Sequence, residues 1–541
     1  MSLSRRDALT LLLGAPLAAE ACKRARTRSV PGEIRGAAMS VGHRLRDAVV
    51  ERATGPARRT RTLIVGAGPS GLSAGWRLER LGEREFTVLD LEPRAGGTSA
   101  YGTDGVVPYP WGAHYVPAPT AENRALVALL RELDAFESPS RLEPRETALV
   151  RAPEERLFID GEWHEGLFPS AGASDQDLAE LAAFQREVAR WVAFRDARGR
   201  RAFTLPVSHC SDDARVTALD RQSAAAWCAE RGYRSERLRW YLEYACRDDY
   251  TLTLETTSAW ALLFYFCARV PEPGRESEPF LTWPEGNGRL VRHLAGVLGE
   301  RVKLGWLVTD VVPGAEQVEV SALEVKTGAL LRFEAEQVIL AVPRFLAARL
   351  LRPWREHPPA HLAEFRYGAW MVANLHLSRR PRSRGFPFAW DNVIYDSPAL
   401  GYVVATHQTL ADYGPTVWTY YQPFTDPDPA AARRRLAAID HAGFCDSILS
   451  DLGRAHHGLA DAVERLDVYR WGHAMVSPRP GFIWGTARRR ASEPLGRVHF
   501  AHSDLSGVAL FEEAQDHGVR AAEAILRARG RAFEPLVEPF G

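Results

Sequence analysis

The apolar positions change period along the chain, and the first clear change falls within residues 62–97. Leu63-Ile64-Val65 is a short continuous apolar run, the length of a buried parallel strand. It breaks into Gly66-Ala67-Gly68-Pro69-Ser70-Gly71, after which Leu72, Trp76, Leu78 and Leu81 mark a helix. Gly82 is a helix stop, and residues 86–89 supply a second strand that ends at Asp90. From 120 to 283 the pattern is largely helical, with amphipathic stretches at 121–133 and 175–194. Strand-like runs return at 302–311, 338–343 and 371–377, and a last helix covers 519–526. This succession predicts an α/β fold: a discontinuous Rossmann-like domain with an inserted α+β domain.

The break after Val65 is a G-x-G-x-x-G turn between a strand and a helix, the setting in which that motif binds dinucleotides. Gly66 permits the tight turn, Gly68 lets backbone approach a pyrophosphate, and Gly71 allows helix and sheet to pack closely. Pro69 and Ser70 open the helix, whose free N–H groups and positive dipole end face the phosphates. Asp90, twenty-two residues after Gly68, falls where a carboxylate accepts hydrogen bonds from ribose hydroxyls. No second such motif opens a helix, which argues against a separate NADPH unit.

Beyond the turn the run is Val88-Leu89-Asp90-Leu91-Glu92-Pro93-Arg94-Ala95-Gly96-Gly97. Together with the fingerprint it resembles the flavin amine oxidase superfamily, two-domain FAD oxidoreductases that include amine oxidases, protoporphyrinogen oxidases and phytoene desaturases. Three further segments share the likeness: Trp283-Pro284-Glu285-Gly286-Asn287-Gly288, Val338-Ile339-Leu340-Ala341-Val342-Pro343, and 497–504 followed by Gly507 and Arg520-Ala521-Ala522. The resemblance implies non-covalent FAD, since the cysteine that carries covalent flavin in some relatives has no counterpart in 468–475. It implies that Leu91, Arg94, Gly96, Gly97 and Thr98 join the fingerprint residues around the ADP half, with Val308 clasping adenine. Gly112 and Ala113 would run past the flavin ring, and Ser503, Asp504 and Gly507 would hold the ribityl–phosphate part. His114 either bonds flavin or substrate or packs between aromatic residues. The helix after Gly507 would aim its positive end at the flavin.

On these readings residues 62–119, 284–350 and 462–530 form the FAD-binding domain, residues 120–283 and 351–461 the substrate domain, and 531–541 a tail. Arg5-Arg6 before an apolar stretch at 8–21 resembles a twin-arginine signal in residues 1–22, implying export of the folded protein to the periplasm or cell envelope. Cys22 ends a loose lipoprotein-like site, a lipid anchor in that reading, and the arginine-rich residues 23–61 read as a basic tether. Within the helical region, Cys246-Arg247-Asp248-Asp249-Tyr250 sets charge between apolar helices and reads as a solvated turn with an Arg–Asp pair, the alternative being that it faces the active site.

Composition narrows the function classes. The 541 residues are 46% hydrophobic and 25% charged, ordinary for globular domains, and the formal net charge of zero gives no reason to expect a nucleic acid partner. Six cysteines without a C-x-x-C pair indicate no zinc site and leave room for one disulfide. Lysine occurs only at 23, 303 and 326. The resembling amine oxidases often place a lysine near the flavin, on a strand corresponding to 368–377, and that stretch has none. The best catalytic candidates are then Tyr469 and Trp471 as an aromatic wall and His473 as an acid/base, unless these three are interface core. The resemblance implies hydride transfer from an amine or related C–N small molecule to flavin, with O2 or another acceptor completing the cycle. Two alternatives stay open: a desaturase, dehydrogenase or isomerase of an apolar polyene or porphyrinogen-like substrate, and a non-catalytic flavin-binding envelope protein.

Overall fold

The computed structural model describes residues 30–47, 52–138, 140–274 and 279–538, so the twin-arginine stretch and Cys22 lie outside the described residues. Two sheets organise the chain. The first has seven strands, in the order Val302–Leu304, Phe86–Asp90, Ala57–Val65, Leu330–Leu340, Val318–Glu324, Trp306–Pro313, with Val498–Phe500 also paired to Leu330–Leu340. Ala57–Val65 runs parallel to both neighbours, pairing Val65 with Leu89 and with Leu340. Helices Pro69–Arg80 and Phe511–Ala528 cross on one face, so closely that a Cβ on Gly518 would lie 2.1 Å from Ser70 O. The apolar positions read from the sequence, Ile64, Leu72, Trp76 and Leu78, are fully buried between this helix pair and the sheet.

The second sheet has eight strands, in the order Ile34–Gly36, Val463–Val476, Tyr367–Leu377, Thr416–Phe424, Tyr402–Val404, Asp391–Ile394, Glu155–Ile159, Glu162–Glu165. One face packs on helices Pro429–Ala438 and His441–Gly453; the other looks toward the Rossmann-like domain and a helical layer built from Asp175–Ala193, Glu236–Tyr250 and Ala259–Cys267.

Four expectations differ from this arrangement. Residues 30–47 are no tether: Ile34–Gly36 forms an edge strand paired with Val468–Arg470, and Leu45 inserts into the core beside Leu63 and Leu89. The arginine excess that argued for a tether is partly neutralised, since Arg35 pairs with Asp467 and Asp104. The strand Val463–Val476 belongs to the substrate-side sheet rather than to the FAD-binding segment that was expected to begin at 462. The last helix starts at Phe511, eight residues before the expected 519. Finally, Asp248 and Asp249 sit in the last turn of helix Glu236–Tyr250, enclosed by protein; the ion pair there joins Asp249 to Arg269, not to Arg247. All five cysteines among the described residues are free, so the disulfide left open by the sequence finds no pair there. No helix among the described residues is long and apolar enough to cross a membrane.

Candidate functional site

The glycine turn is built as its spacing requires. Gly66 has φ +105°, and a Cβ there would lie 2.4 Å from Ala341 O; at Gly71 it would lie 1.8 Å from Gly66 O. Both positions are closed to any side chain. At Gly68 the nearest atom to an added Cβ is Gly97 Cα, 3.9 Å away, so the outer side of this residue is open to a ligand. Pro69 takes the first helical position, where no N–H is missed, and Ser70 Oγ is buried without a hydrogen-bond partner. Gly96 and Gly97 have φ +134° and +54° and fold the loop back onto Gly68, with Arg94 and Thr98 exposed on it. A helix start, an orphan hydroxyl, an open glycine and a free-facing guanidinium form a fitting seat for a pyrophosphate.

Asp90 is more constrained than the motif alone implies. Its carboxylate accepts from Ala67 N–H at 2.5 Å and Glu92 N–H at 2.7 Å, and burial raises its pKa. Each oxygen keeps lone-pair capacity for a ribose hydroxyl, so the position fits, with the shorter Asp also holding the turn together. Leu91 lies against Gly42 of the N-terminal segment, and Ala38 N–H donates to Glu92 Oε1 at 2.9 Å. Leu304 pairs with Asp90, and the buried Val308 lies four residues further on, in strand Trp306–Pro313, with a bulge after it.

Thr98 connects this half of the cleft to the next segment. Its carbonyl accepts from Ala113 N–H at 3.0 Å, and a Cβ on Gly112 would lie 2.2 Å from it, which explains the glycine. His114 packs among Tyr115, Trp390 and Tyr421, with ring centroids 4.8–5.3 Å apart. Burial pulls its pKa down to about 4, so the imidazole is neutral at pH 7. The aromatic packing that the sequence left open is the observed state.

Ser503, Asp504 and Gly507 form a short turn at the far end of the cleft, with Gly507 at φ +82°. Asp504 is fully committed within the protein: Oδ2 accepts from Tyr367 O–H at 2.6 Å and Arg344 N–H at 2.8 Å, and Oδ1 lies 3.0 Å from His502 Nδ1. Burial would raise its pKa, but His502, Tyr367 and the Arg344 N–H outweigh it and hold the carboxyl below the ordinary value. Asp504 therefore ties the Arg344 segment to the strand that carries Tyr367. The first turn of the helix beyond it carries Glu512 and Glu513, whose pKa values burial raises to about 7 and about 8. Raised in this way, they cancel less of the positive dipole end than fully ionised carboxylates would.

On the substrate side, Tyr469 and Trp471 stack with centroids 4.2 Å apart, and Trp471 Nε1 donates to Trp111 O at 2.6 Å. These two aromatics are thereby fixed against the residue preceding Gly112. His473 does not join them. The pairing of Val463–Val476 with Tyr367–Leu377 slips between Trp471 and Met475, and His473 swings out to stack on Phe345 at 4.2 Å. Burial, then the charges of Arg433 and His43, lower its pKa to about 4, which corrects its expected role as an acid/base near neutral pH.

Two acidic residues here, Glu155 and Asp391, had no usable signal in the sequence; a third, Asp248, did. Following the register across the sheet, Glu155, Asp391, Tyr421, Val372, Tyr469 and Trp471 share one face. Opposite them, helix Glu236–Tyr250 contributes Asp248. His114, Tyr115, Glu155, Asp248, Tyr265 and Asp391 are enclosed by protein yet keep partly accessible surface, so they line an internal chamber. Burial raises the pKa of Glu155 to about 7 and pushes those of Asp248 and Asp391 up as well; the charge of Asp249 adds to the rise at Asp248. Among the described residues none of the three is in an ion pair, whereas Asp249 is matched by Arg269 at 3.5 Å. A separate cleft of about 620 Å³, lined by Asp160, Asp177, Arg234 and Tyr395 among others, lies at the surface away from the glycine turn.

Comparison with known proteins supports this architecture. The family described as NAD(P)-binding Rossmann-like domain matches residues 64–133. No curated protein sequence matches the chain. Among solved structures, wild-type putrescine oxidase bound to putrescine is similar at 20% identity and TM-score 0.65, covering 87% of this chain and all of its own. Cyclohexylamine oxidase from Brevibacterium oxydans IH-35A is similar at 17% identity and TM-score 0.62, with the same coverage. A Rossmann-like turn and a second sheet over it are thus parts of one arrangement, and the chain shares the fold of these two amine oxidases over most of its length.

Proposed function

We propose that the protein is an FAD-dependent oxidoreductase that oxidises an amine or a related C–N compound, with non-covalent FAD and O2 or another acceptor. We further propose, on Arg5-Arg6 and the apolar stretch after them, that it is exported folded to the periplasm or envelope. The observation that carries the catalytic reading is the chamber itself. Its walls hold the carboxyl groups of Glu155, Asp391 and Asp248, none of them in an ion pair among the described residues. Such walls suit a cationic substrate and oppose an apolar polyene or a carboxylate-bearing porphyrinogen, whose burial beside them would be costly.

Gly66, Gly68, Gly71, Ser70, Arg94 and Asp90 would hold the ADP part, and the Gly112–Ala113 segment would face the ring. FAD, when bound, supplies a two-electron acceptor for the hydride that leaves the carbon next to nitrogen. The protein's own work is positioning and exclusion of water. Tyr469 and Trp471, locked by the Trp111 carbonyl, form a flat wall on one side; Tyr421, whose O–H donates to Gly112 O at 3.2 Å, forms the floor. His114 stays neutral beside them and adds no competing charge. Residues 368–377 hold no lysine, so amine deprotonation falls to solvent.

The test is anaerobic mixing of purified holoprotein with aliphatic amines and, separately, with an apolar polyene. Bleaching of the flavin bands by an amine, with imine or aldehyde as product, is the expected result. Bleaching by the polyene alone would overturn the reading.

A further inference from the structure

We propose that one end of the eight-stranded sheet docks on a membrane surface rich in anionic phospholipid, with Val106, Leu410 and Tyr413 seated among the headgroups and arginines on their phosphates. This docking goes beyond the oxidase reading and does not depend on it.

Among the described residues the three most exposed large apolar side chains are Tyr413 at 85%, Leu410 at 74% and Val106 at 58%. The fold brings them to one place. Leu377 ends its strand there, paired with Thr416 on one side and with Val463 on the other. Leu410 and Tyr413 lie on the loop that leads into Thr416. Val106 follows Gly105, where an added Cβ would lie 3.1 Å from both His376 Cε1 and Val417 Cγ2, so its loop rests on the same end. Single exposed apolar residues scattered over a surface need no explanation, but a group of them at one end marks a contact.

The loop is held in this pose. Asp412, between Leu410 and Tyr413, accepts from Arg151 at 2.9 Å and lies 3.7 Å from Arg380. Arg380 also donates to Thr406 Oγ1 at 2.9 Å and to Ala411 O. Pinned at Asp412, the loop leaves the two apolar side chains outward.

Two observations name the occupant. Arg379 and Arg382, on the loop that follows Leu377, are exposed and form no ion pair among the described residues. The neighbouring Asp104 is matched by Arg35 and Arg465, as Asp412 is by its own arginines. The second observation is where the chain enters. Pro31 O accepts from Leu466 N–H at 2.8 Å, three residues into the strand that begins at Val463, so Val30, the first described residue, stands at this end. Strand order sets Ile34–Gly36 about 15 Å from the strand Thr416–Phe424. Just before Val30 the sequence reads Lys23, Arg24, Arg26 and Arg28, and before those comes the apolar stretch 8–21. The exposed acids Asp461 and Glu464 are outnumbered by these cations. Cations around apolar and aromatic tips match an anionic headgroup layer, with arginine on phosphate and tyrosine at the boundary between water and hydrocarbon.

The experiment mixes the full-length holoprotein with vesicles of phosphatidylcholine alone and with vesicles containing about a third phosphatidylglycerol, read by cosedimentation and by hydrogen exchange. We expect binding at least about tenfold tighter to the anionic vesicles. Exchange should slow at residues 104–107 and 409–414 and stay unchanged at the exposed turn after Val325, in the first sheet. Arg379→Gln with Arg382→Gln should weaken binding at least about tenfold, and Leu410→Ser with Tyr413→Ser by about tenfold. All four positions are at the surface, and unchanged flavin content checks that each variant is folded. Absence of binding, equal binding to both vesicles, or binding that survives both double variants, as it would if residues 8–21 alone held the lipid, would overturn the docking. Slowed exchange at the same residues without vesicles, growing with protein concentration, would assign the patch to a second copy of the chain and overturn it as well.

Discussion

Replacing Glu155 by Gln should stabilise the protein at high pH and leave it nearly unchanged at low pH. The side chain keeps its shape, and only the ability to ionise is lost. Burial, helped by Glu154, raises the Glu155 carboxyl from 4.5 to about 7. A carboxyl raised on folding gives its full contribution below pH 4.5, loses it as pH climbs through 7, and is level above. At about 1.4 kcal/mol per pH unit, the interval corresponds to about 3 kcal/mol. The measurement is urea unfolding of the substrate-free wild type and E155Q at pH 5 and pH 8. The variant should gain up to about 3 kcal/mol relative to wild type at pH 8 and less than about 1 kcal/mol at pH 5. A variant equally stable to wild type at both pH values, or weaker at pH 8, would refute the claim that Glu155 is enclosed without a counter-charge.

Other outcomes follow from other contacts. Gly68→Ala should fold, since its Cβ meets nothing closer than 3.9 Å, yet purify with little flavin, read from its visible absorbance. Asp249→Asn should destabilise by about 3–5 kcal/mol by stranding the buried Arg269, and pairing it with Arg269→Met should recover most of the loss in a denaturation series. Ala38→Pro removes the N–H that holds Glu92 while keeping a φ of −65° that proline accepts, and should speed FAD release several-fold in a dilution assay of flavin fluorescence. An unchanged release rate would separate the N-terminal segment from the cofactor cleft.

The strongest local rules were legible in the sequence, and long-range pairing was not. Gly66 and Gly71 could be read because backbone geometry forbids any other residue there, and the helix after them because its apolar spacing is regular. Ile34–Gly36 was hidden: three residues in an arginine-rich stretch carry no period, and their strand character comes wholly from pairing with Val468. The same holds for Glu155 and Asp391, which look like ordinary surface acids until the sheet register joins them. Asp248 and Asp249 did carry a signal, charge set between apolar helical turns, but its meaning reversed once Arg269 arrived from the turn after helix Ala259–Cys267. His473 was misread because a slip in strand pairing moves its side chain off the expected face, and no sequence pattern announces such a slip.

The central claim is that the Gly66–Gly71 turn, the Asp90–Thr98 loop and the Ser503–Gly507 turn grip one FAD, and the most direct measurement is the visible spectrum of the purified chain with its flavin released by heat. The account predicts flavin absorbance near one equivalent per chain, and full release of FAD as the free molecule. Protein that is colourless after expression with ample flavin, and that takes up no added FAD, would contradict it.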